Sequence, residues 1–338
     1  MADQKMAKPQ WLRIKLETHE PFLGIKDTLK KHRLHTVCEE AHCPNMSECW
    51  NGGTATFMVM GDTCTRACKF CAIKTAFPAP PLDPDEPVKL AKSIAEVGMF
   101  EYVVITSVDR DDLKDQGAGH FAKCIVEVKK VIPGIIVEVL IPDFRGQDDL
   151  IKMVVDAKPD VIAHNIETVP RLQKAVRDPR ANYRQSLHVL ETVKRLNPSI
   201  HTKTSIMLGL GEKDEEVIET MKDLRALGAS IYTLGQYLRP SDWHIKIEEY
   251  VHPDKFAYFK QKGEEIGFSF VASGPFVRSS YRAGELFIKN IIKDKKPHLP
   301  HMEKETNNIS DTFGSLPRKM SGQQAKDEMR AGWEPENS

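Results

Sequence analysis

Six of the seven cysteines in this chain lie between positions 38 and 71, and they come as two triplets. One is Cys64, Cys68 and Cys71, spaced C-x3-C-x2-C within Gly61-Asp62-Thr63-Cys64-Thr65-Arg66-Ala67-Cys68-Lys69-Phe70-Cys71. Three thiolates this close on a tight loop can converge on a single metal centre, whereas a helix or an extended strand would splay them apart. A structural zinc wants a fourth protein ligand nearby, usually from a second Cys or His pair. Four irons held by three cysteines instead leave one iron open to another ligand. The other triplet, Cys38, Cys43 and Cys49, is spaced C-x4-C-x5-C and is also one ligand short of four. Taken alone it also reads as a Cys3His zinc site completed by His35 or His42. A second incomplete triplet so near lowers the weight of that reading. An odd number of cysteines packed this way argues for reduced, metal-holding thiols rather than a secreted disulfide framework.

The elements that must position these residues follow from hydrophobic period. Residues 1–20 read as a surface arm pinned by Trp11 and Leu12, and residues 22–35 as a short amphipathic helix. Residues 54–60 (TATFMVM) form a β-branched, apolar strand bounded by Gly53 and Gly61, ending just before the cysteine loop. Strands follow at 102–106, 135–141, 161–163, 200–208 and 231–234. Helices fall at 88–97, 119–132, 148–155, 182–196 and 215–227. Six strands alternating with helices imply parallel pairing with right-handed crossovers. Six βα units are too few for an eight-stranded barrel, so the fold class is α/β, as a partial (β/α)6 TIM-like barrel or a doubly wound sheet. In either case functional residues belong just past the C-terminal strand ends, where the Cys64–Cys71 loop lies. Cys124 shares a helix face with Phe121, Ile125 and Val128 and reads as a buried structural thiol. Residues 253–267 add a helix, 268–272 an extended run, and 289–338 a polar, Pro-punctuated tail expected to be disordered.

Bulk composition narrows the partners. Of 338 residues, 41% are hydrophobic, enough for a sizeable core. Lys+Arg and Asp+Glu are both 48, and a net charge of zero offers no reason to expect nucleic acid. No apolar run reaches membrane-spanning length, so no membrane is expected either. The opening MADQKMAKPQ has no hydrophobic leader and no Arg-rich transit character, which points to a cytoplasmic protein.

With Phe70 just before its last cysteine, the loop resembles the radical S-adenosylmethionine (SAM) signature, C-x3-C-x-φ-C. CEEAHCPNMSECW, GDTCTRACKFCAI and the later Gly274-Pro275-Phe276-Val277-Arg278-Ser279-Ser280-Tyr281 together resemble the lipoyl synthase family, over roughly residues 11–284. The resemblance implies two [4Fe–4S] clusters. Cys64, Cys68 and Cys71 would hold one, with SAM chelating its open iron and being cleaved to a 5′-deoxyadenosyl radical. Cys38, Cys43 and Cys49, with Ser280 as fourth ligand, would hold an auxiliary cluster consumed as sulfur donor. A serine oxygen is a harder partner for iron than thiolate and would mark an iron poised for release; without the cysteines, Ser280 would read as an ST-turn hydroxyl. The implied reaction places sulfur at C6 and C8 of an octanoyl chain on a lysine of a carrier protein, either a 2-oxoacid dehydrogenase E2 domain or glycine cleavage H protein. A low-potential electron donor such as ferredoxin or flavodoxin and an iron–sulfur carrier protein complete the implied partners.

Strand-end polar residues are further candidates for SAM or substrate contacts. They are Thr106, Ser107 and Asp109 after the second strand, Asn165 and Glu167 after the fourth, Lys203 on the fifth and Gln236 ending the sixth. Each could equally cap a helix or pair with a neighbour. Gly209-Leu210-Gly211 reads as a turn bringing backbone close to the cofactor. The division expected is 1–53 as N-terminal arm and auxiliary-cluster extension, 54–250 as barrel, 251–288 as the segment carrying Ser280, and 289–338 as tail. The tail departs from the family, whose members usually end soon after that segment. Two alternatives stand beside this reading. One is a sulfur inserter of methylthiotransferase or biotin-synthase type; the other, of a different class, is a zinc-stabilised binding module.

Overall fold

The computed structural model describes residues 7–12, 28, 31–32, 34–40, 43, 45–51 and 54–280. Seven parallel strands, with a short antiparallel edge strand (His35–Thr36) beside the first, make up the eight-stranded sheet: β1 (Thr56–Val59), β2 (Tyr102–Ser107), β3 (Ile136–Leu140), β4 (Val161–Ala163), β5 (His201–Leu208), β6 (Ile231–Gln236) and β7 (Phe270–Gly274), hydrogen-bonded in that order. Between them run the helices α1 (Glu86–Val97), α2 (Ala118–Val131), α3 (Asp148–Asp156), α4 (Tyr183–Leu196), α5 (Asp214–Ala226) and α6 (Pro253–Ile266). Six βα units are thus followed by a seventh strand from the run expected at 268–272. The register is regular, with Thr56 opposite Val104, Tyr102 opposite Ile136 and Phe270 opposite Ile231.

Parallel strands buried on both faces explain the unbroken apolar runs that made these strands legible. On β2, Val103 and Ile105 pack outward with Leu90 and Ile94 of α1 and Phe121, Ile125 and Val128 of α2. Tyr102 and Val104 turn inward with Val161 and Ile231. A second cluster packs Val217, Met221 and Leu224 of α5 and Phe256 and Phe259 of α6 with Tyr232, Leu234 and Val271. Cys124 is fully buried in the first cluster, as its helical spacing predicts.

The N-terminal part differs in detail. Most of the helix expected at 22–35 lies outside the described residues. At its expected end, His35 and Thr36 instead pair antiparallel with β1, opposite Met58 and Phe57. Leu12 is fully buried and Trp11 meets His252 edge-on at 5.0 Å, so the arm is pinned by both. His42, Tyr281 and the tail at 289–338 also lie outside the described residues.

Candidate metal centre

The chain leaves β1 through Met60 and Gly61, both at positive φ (69° and 86°). The buried Glu86 carboxylate fixes this exit, accepting the Met60 N–H at 2.8 Å while bonded to His120 at 2.6 Å. The loop then closes on itself, with Cys71 N–H donating to Cys68 O at 3.0 Å and Ala76 N–H to Cys64 O at 3.1 Å. Backbone N–H groups from distant loops point at the sulfurs: Asp109 to Cys64 Sγ at 3.3 Å and Asp178 to Cys68 Sγ at 3.3 Å. His244 Nε2 faces the Cys71 carbonyl at 2.9 Å and must donate to it.

Arg66, between the first two cysteines, is the loop's anchor. It is buried and makes two forked pairs, with Asp111 at 2.8 and 3.0 Å and with Asp143 at 2.6 and 2.8 Å. Burial alone would raise both carboxyls, but the bonds to Arg66 hold them well below the usual range. Asp178 accepts the Ala67 N–H at 2.9 Å, and Arg180 bonds both Asp178 and the Thr65 carbonyl. The sequence reading did not single out Arg66, Asp143, Asp178 or Arg180. Asp143 follows β3 directly and was findable from the strand-end rule; Arg177 to Arg180 sit far down an irregular loop that no periodicity marks.

Burial pushes all three thiols, Cys64, Cys68 and Cys71, up to about 12. Three thiolates in this wall demand a compensating cation, which is what a metal centre supplies.

The second triplet forms a smaller nest. Cys38 lies in a helical turn (Val37–Glu40) and Cys49 in a short helix (Met46–Asn51). Cys43 N–H donates to Cys38 O at 2.9 Å, and Asn45 reaches the Phe276 carbonyl at 2.6 Å, fastening this segment to the one that follows β7. Cys38, Cys43, Cys49, Arg278 and Ser280 line one small cavity together. Gly235 permits this approach, because a Cβ there would stand 2.0 Å from the Val277 carbonyl oxygen. Arg278 is a half-buried cation whose ionisation is depressed by desolvation and favoured by Cys43, and its Nη1 donates to the Val277 carbonyl at 2.7 Å. No carboxylate pairs with it among the described residues, so an anionic group beside it would be stabilised.

Both nests open onto one cavity of about 530 Å³ at the C-terminal ends of the strands. Its walls run from Thr56 and Met58 on β1 to Gly235 and Gln236 on β6 and Ser280 beyond β7, so the sheet curls around it. Thr106, Ser107, Asp109, Asn165, Glu167 and Gln236 line it as well. Lys203 does not. It lies deeper in the barrel, bonded to Glu138 at 2.7 and 3.0 Å, with Tyr102 on the same carboxylate. Its early position on β5 puts it one inward layer below Ser205, which does reach the cavity.

The strand-end candidates also differ in what they have left to offer. Gln236 commits its whole amide to backbone, donating to the Glu249 and Tyr237 carbonyls and accepting the Val251 N–H. Thr106 donates to Leu140 O at 3.1 Å. By contrast Ser107 Oγ, Asn165 Oδ1 and Arg177 Nε are buried without a hydrogen-bond partner. Asp109 is pushed up to about 6 by burial, with Arg66 opposing and the Asp143 and Asp111 charges adding. Burial raises Glu167 likewise. The Gly209–Gly211 turn corrects an expectation. Glu212 accepts the Gly209 and Leu210 N–H groups at 2.6 and 2.9 Å, so this turn holds its own carboxylate. What approaches Gly209 is the Gln236 amide and the Glu249 carbonyl, each about where a Cβ would be.

These residues fit open-iron clusters better than zinc. His164 lines the cavity and has both nitrogens used, Nδ1 donating to Ile141 O at 2.9 Å and Nε2 accepting from Ser186 at 2.9 Å, and His244 beside Cys71 spends both of its nitrogens on the Cys71 carbonyl and Ser241. No histidine lines the small cavity of the second triplet among the described residues, and His35 faces Glu40. The unpartnered Ser107, Asn165 and Arg177 atoms offer both donors and acceptors to a polar, zwitterionic ligand beside the cysteine loop.

Residues 58–224 match the radical SAM superfamily. The FeFe-hydrogenase maturase HydG from Carboxydothermus hydrogenoformans shares the fold, with a TM-score of 0.50 at 14% identity over 71% of this chain and 66% of that one. Fold and site together define a radical SAM enzyme, whose cofactors are SAM and [4Fe–4S] clusters. Residues 2–43 match the N-terminal domain of lipoyl synthase. A lipoyl synthase from Halobacterium salinarum is 58% identical over 294 residues, 86% of this chain and 94% of that protein. One from Anaeromyxobacter dehalogenans is 57% identical over 85% of this chain and 97% of its own, and the chloroplastic lipoyl synthase of Arabidopsis thaliana is 55% identical over 86% and 75%. The chain belongs to the lipoyl synthase family.

Proposed function

We propose that this chain inserts two sulfur atoms, at C6 and C8, into an octanoyl chain carried on a lysine of a lipoyl-carrier protein. The observation that supports it most directly is that cysteines of both triplets and Ser280 line the same cavity. In this reading Cys64, Cys68 and Cys71 hold the cluster that binds SAM, and Cys38, Cys43, Cys49 and Ser280 hold the second. When bound, the first cluster with SAM supplies a carbon-centred radical able to take hydrogen from an unactivated C–H bond, and the second supplies sulfide.

The chain's own residues do the rest. Arg66, Asp111, Asp143 and Asp178 hold the cysteine loop in place. Ser107, Asn165 and Arg177 orient SAM through polar atoms that the fold leaves unspent, Glu167 lines the same wall, and Asp109 flanks the loop. Met58, Leu140, Ile141 and Met207 give an apolar wall suited to an alkyl chain, and they exclude water from a reaction that water and loose hydrogen donors would quench. Arg278 steadies the negative charge of the second cluster. Residues 1–53 act as an N-terminal arm and auxiliary-cluster extension beside a barrel of residues 54–250, and 251–288 add the last helix and strand of the sheet before the turn that carries Ser280.

The carrier is an octanoylated 2-oxoacid dehydrogenase E2 domain or glycine cleavage H protein, electrons come from a ferredoxin or flavodoxin, and an iron–sulfur carrier protein rebuilds the second cluster. A cytoplasmic, reducing setting suits seven cysteines that form no disulfide among the described residues. No helix among the described residues is long and apolar enough to cross a membrane. The test is mass spectrometry of an octanoyl-lysyl peptide after anaerobic incubation with SAM and reductant. A mass gain matching two sulfurs is expected. Formation of 5′-deoxyadenosine with no sulfur on the peptide would reject the reading.

A further inference from the structure

Two aromatic side chains stand out of the surface on segments hydrogen-bonded to the cysteine loop. Trp243 is 77% exposed and Phe77 is 66% exposed, while the next large hydrophobic, Val126 on α2, is 48% exposed. Each sits one residue from a bond that ends on the cysteine loop. Ala76, before Phe77, donates its N–H to the Cys64 carbonyl at 3.1 Å. His244, after Trp243, donates to the Cys71 carbonyl at 2.9 Å.

Trp243 is also held in its pose. Its ring lies against the His244 ring with centroids 4.7 Å apart. His244 is buried and bonded on its other nitrogen to Ser241 at 2.8 Å. Arg239 Nε clasps the His244 carbonyl at 2.9 Å, and Ile245 N–H donates to Lys69 O at 3.0 Å. The strap carrying Trp243 continues from Leu238, Arg239 and Pro240, which line the cavity. Lys69, on the cysteine loop between these two ties, is exposed and has no ion-pair partner among the described residues.

An exposed ring on a mobile loop would signify little. A ring on a strap tied to the cysteine loop and continuous with the cavity wall suits an interface anchor, because ordering it on binding costs little entropy. A substrate chain attached to a macromolecule must enter past this rim, so the macromolecule's own surface has to lie on it. We infer that Phe77 and Trp243 form the docking rim for the folded domain that presents the acyl-lysine, with Lys69 facing a carboxylate near that lysine. This rests on the proposed reaction and goes beyond it by naming the contact surface.

A short peptide has no domain surface to place on the rim, and that difference supplies the test. Reconstituted wild type, W243A and the F77A/W243A double variant are assayed on octanoylated H protein, on an octanoylated E2 domain and on a free octanoyl-lysyl peptide, with sulfur insertion followed by mass spectrometry. KM for the carrier domains should rise about thirtyfold in the double variant, the size expected of an aromatic anchor. Turnover of the peptide should stay unchanged. Equal carrier KM in wild type and double variant overturns the docking rim, as does an equal loss on carrier and peptide, which would make the rings internal supports. A wild-type dimer that W243A converts to a monomer assigns the rings to self-association and overturns it too. Wild type that adds sulfur to no substrate at all rejects the proposed reaction itself.

Discussion

The sulfur of Cys68 receives the amide of Asp178, 110 residues away, and that of Cys64 the amide of Asp109, 45 residues away. Amide bonds to cluster sulfurs are a standard means of tuning reduction potential, so these loops bear on the electronics of the site as well as its shape. The two triplets are separable at this scale. Cys68→Ala should abolish 5′-deoxyadenosine formation, whereas Cys43→Ala and Ser280→Ala should leave SAM cleavage largely intact and eliminate sulfur insertion. Equal loss of 5′-deoxyadenosine in all three, with iron still bound, would break the proposed division. Lys203 offers a contrasting test. Its ammonium and the Glu138 carboxylate are buried together, and removing one member of such a pair costs about 3–5 kcal/mol. Lys203→Met should therefore lower stability by that order in urea unfolding while leaving SAM affinity unchanged; a weakened SAM affinity at constant stability would return Lys203 to the site.

At the scale of elements, the second nest depends on how closely the segment after β7 passes over β6. Gly235 sits where a methyl group would overlap the Val277 carbonyl, a backbone atom that cannot swing aside. Gly235→Ala should push the 275–280 segment outward, detach Ser280 and Arg278 from the cysteines, and cut bound iron from about eight to about four per chain with SAM cleavage retained. Full iron content in this variant would show that the segment has slack. The helices were legible because each presents one apolar stripe to the sheet. The strand His35–Thr36 was not, since two residues carry no period and only an edge partner selects their conformation.

For the molecule as a whole, His164 links the barrel's stability to pH. It is buried between β4 and α4, with Arg177 and Arg66 disfavouring its charge and Asp143 and the Ile141 carbonyl only partly offsetting burial, so its ionisation falls to about 4. It is neutral in the fold. An unfolded chain takes up that proton below about 6.5, the folded chain not until about 4, and stability is therefore lost as pH falls through that interval. The loss amounts to about 3 kcal/mol at the lower end. Unfolding free energies of wild type and His164→Gln should converge as pH drops from 7 to 4.5; a constant gap would remove His164 from the acid response.

The residue types and spacings alone carried the chemistry: two cysteine triplets, each a ligand short, and a strand order that put one of them at a barrel mouth. Thiolates must be near in sequence to share a small cluster on one loop, so spacing betrays them. What only the tertiary structure decided is which polar residues remain available. Gln236, Thr106 and Lys203 looked equal to Ser107 and Asn165 in sequence, yet Lys203 lies below the cavity, bonded to Glu138, Gln236 spends its amide on backbone, and Thr106 spends its hydroxyl proton on Leu140. Arg66, Asp143 and Asp178 meet across loops up to 111 residues apart, and Ser280 joins the cysteines only because Gly235 lets its segment pass. Such pairings depend on where the sheet curls, and no local period records that.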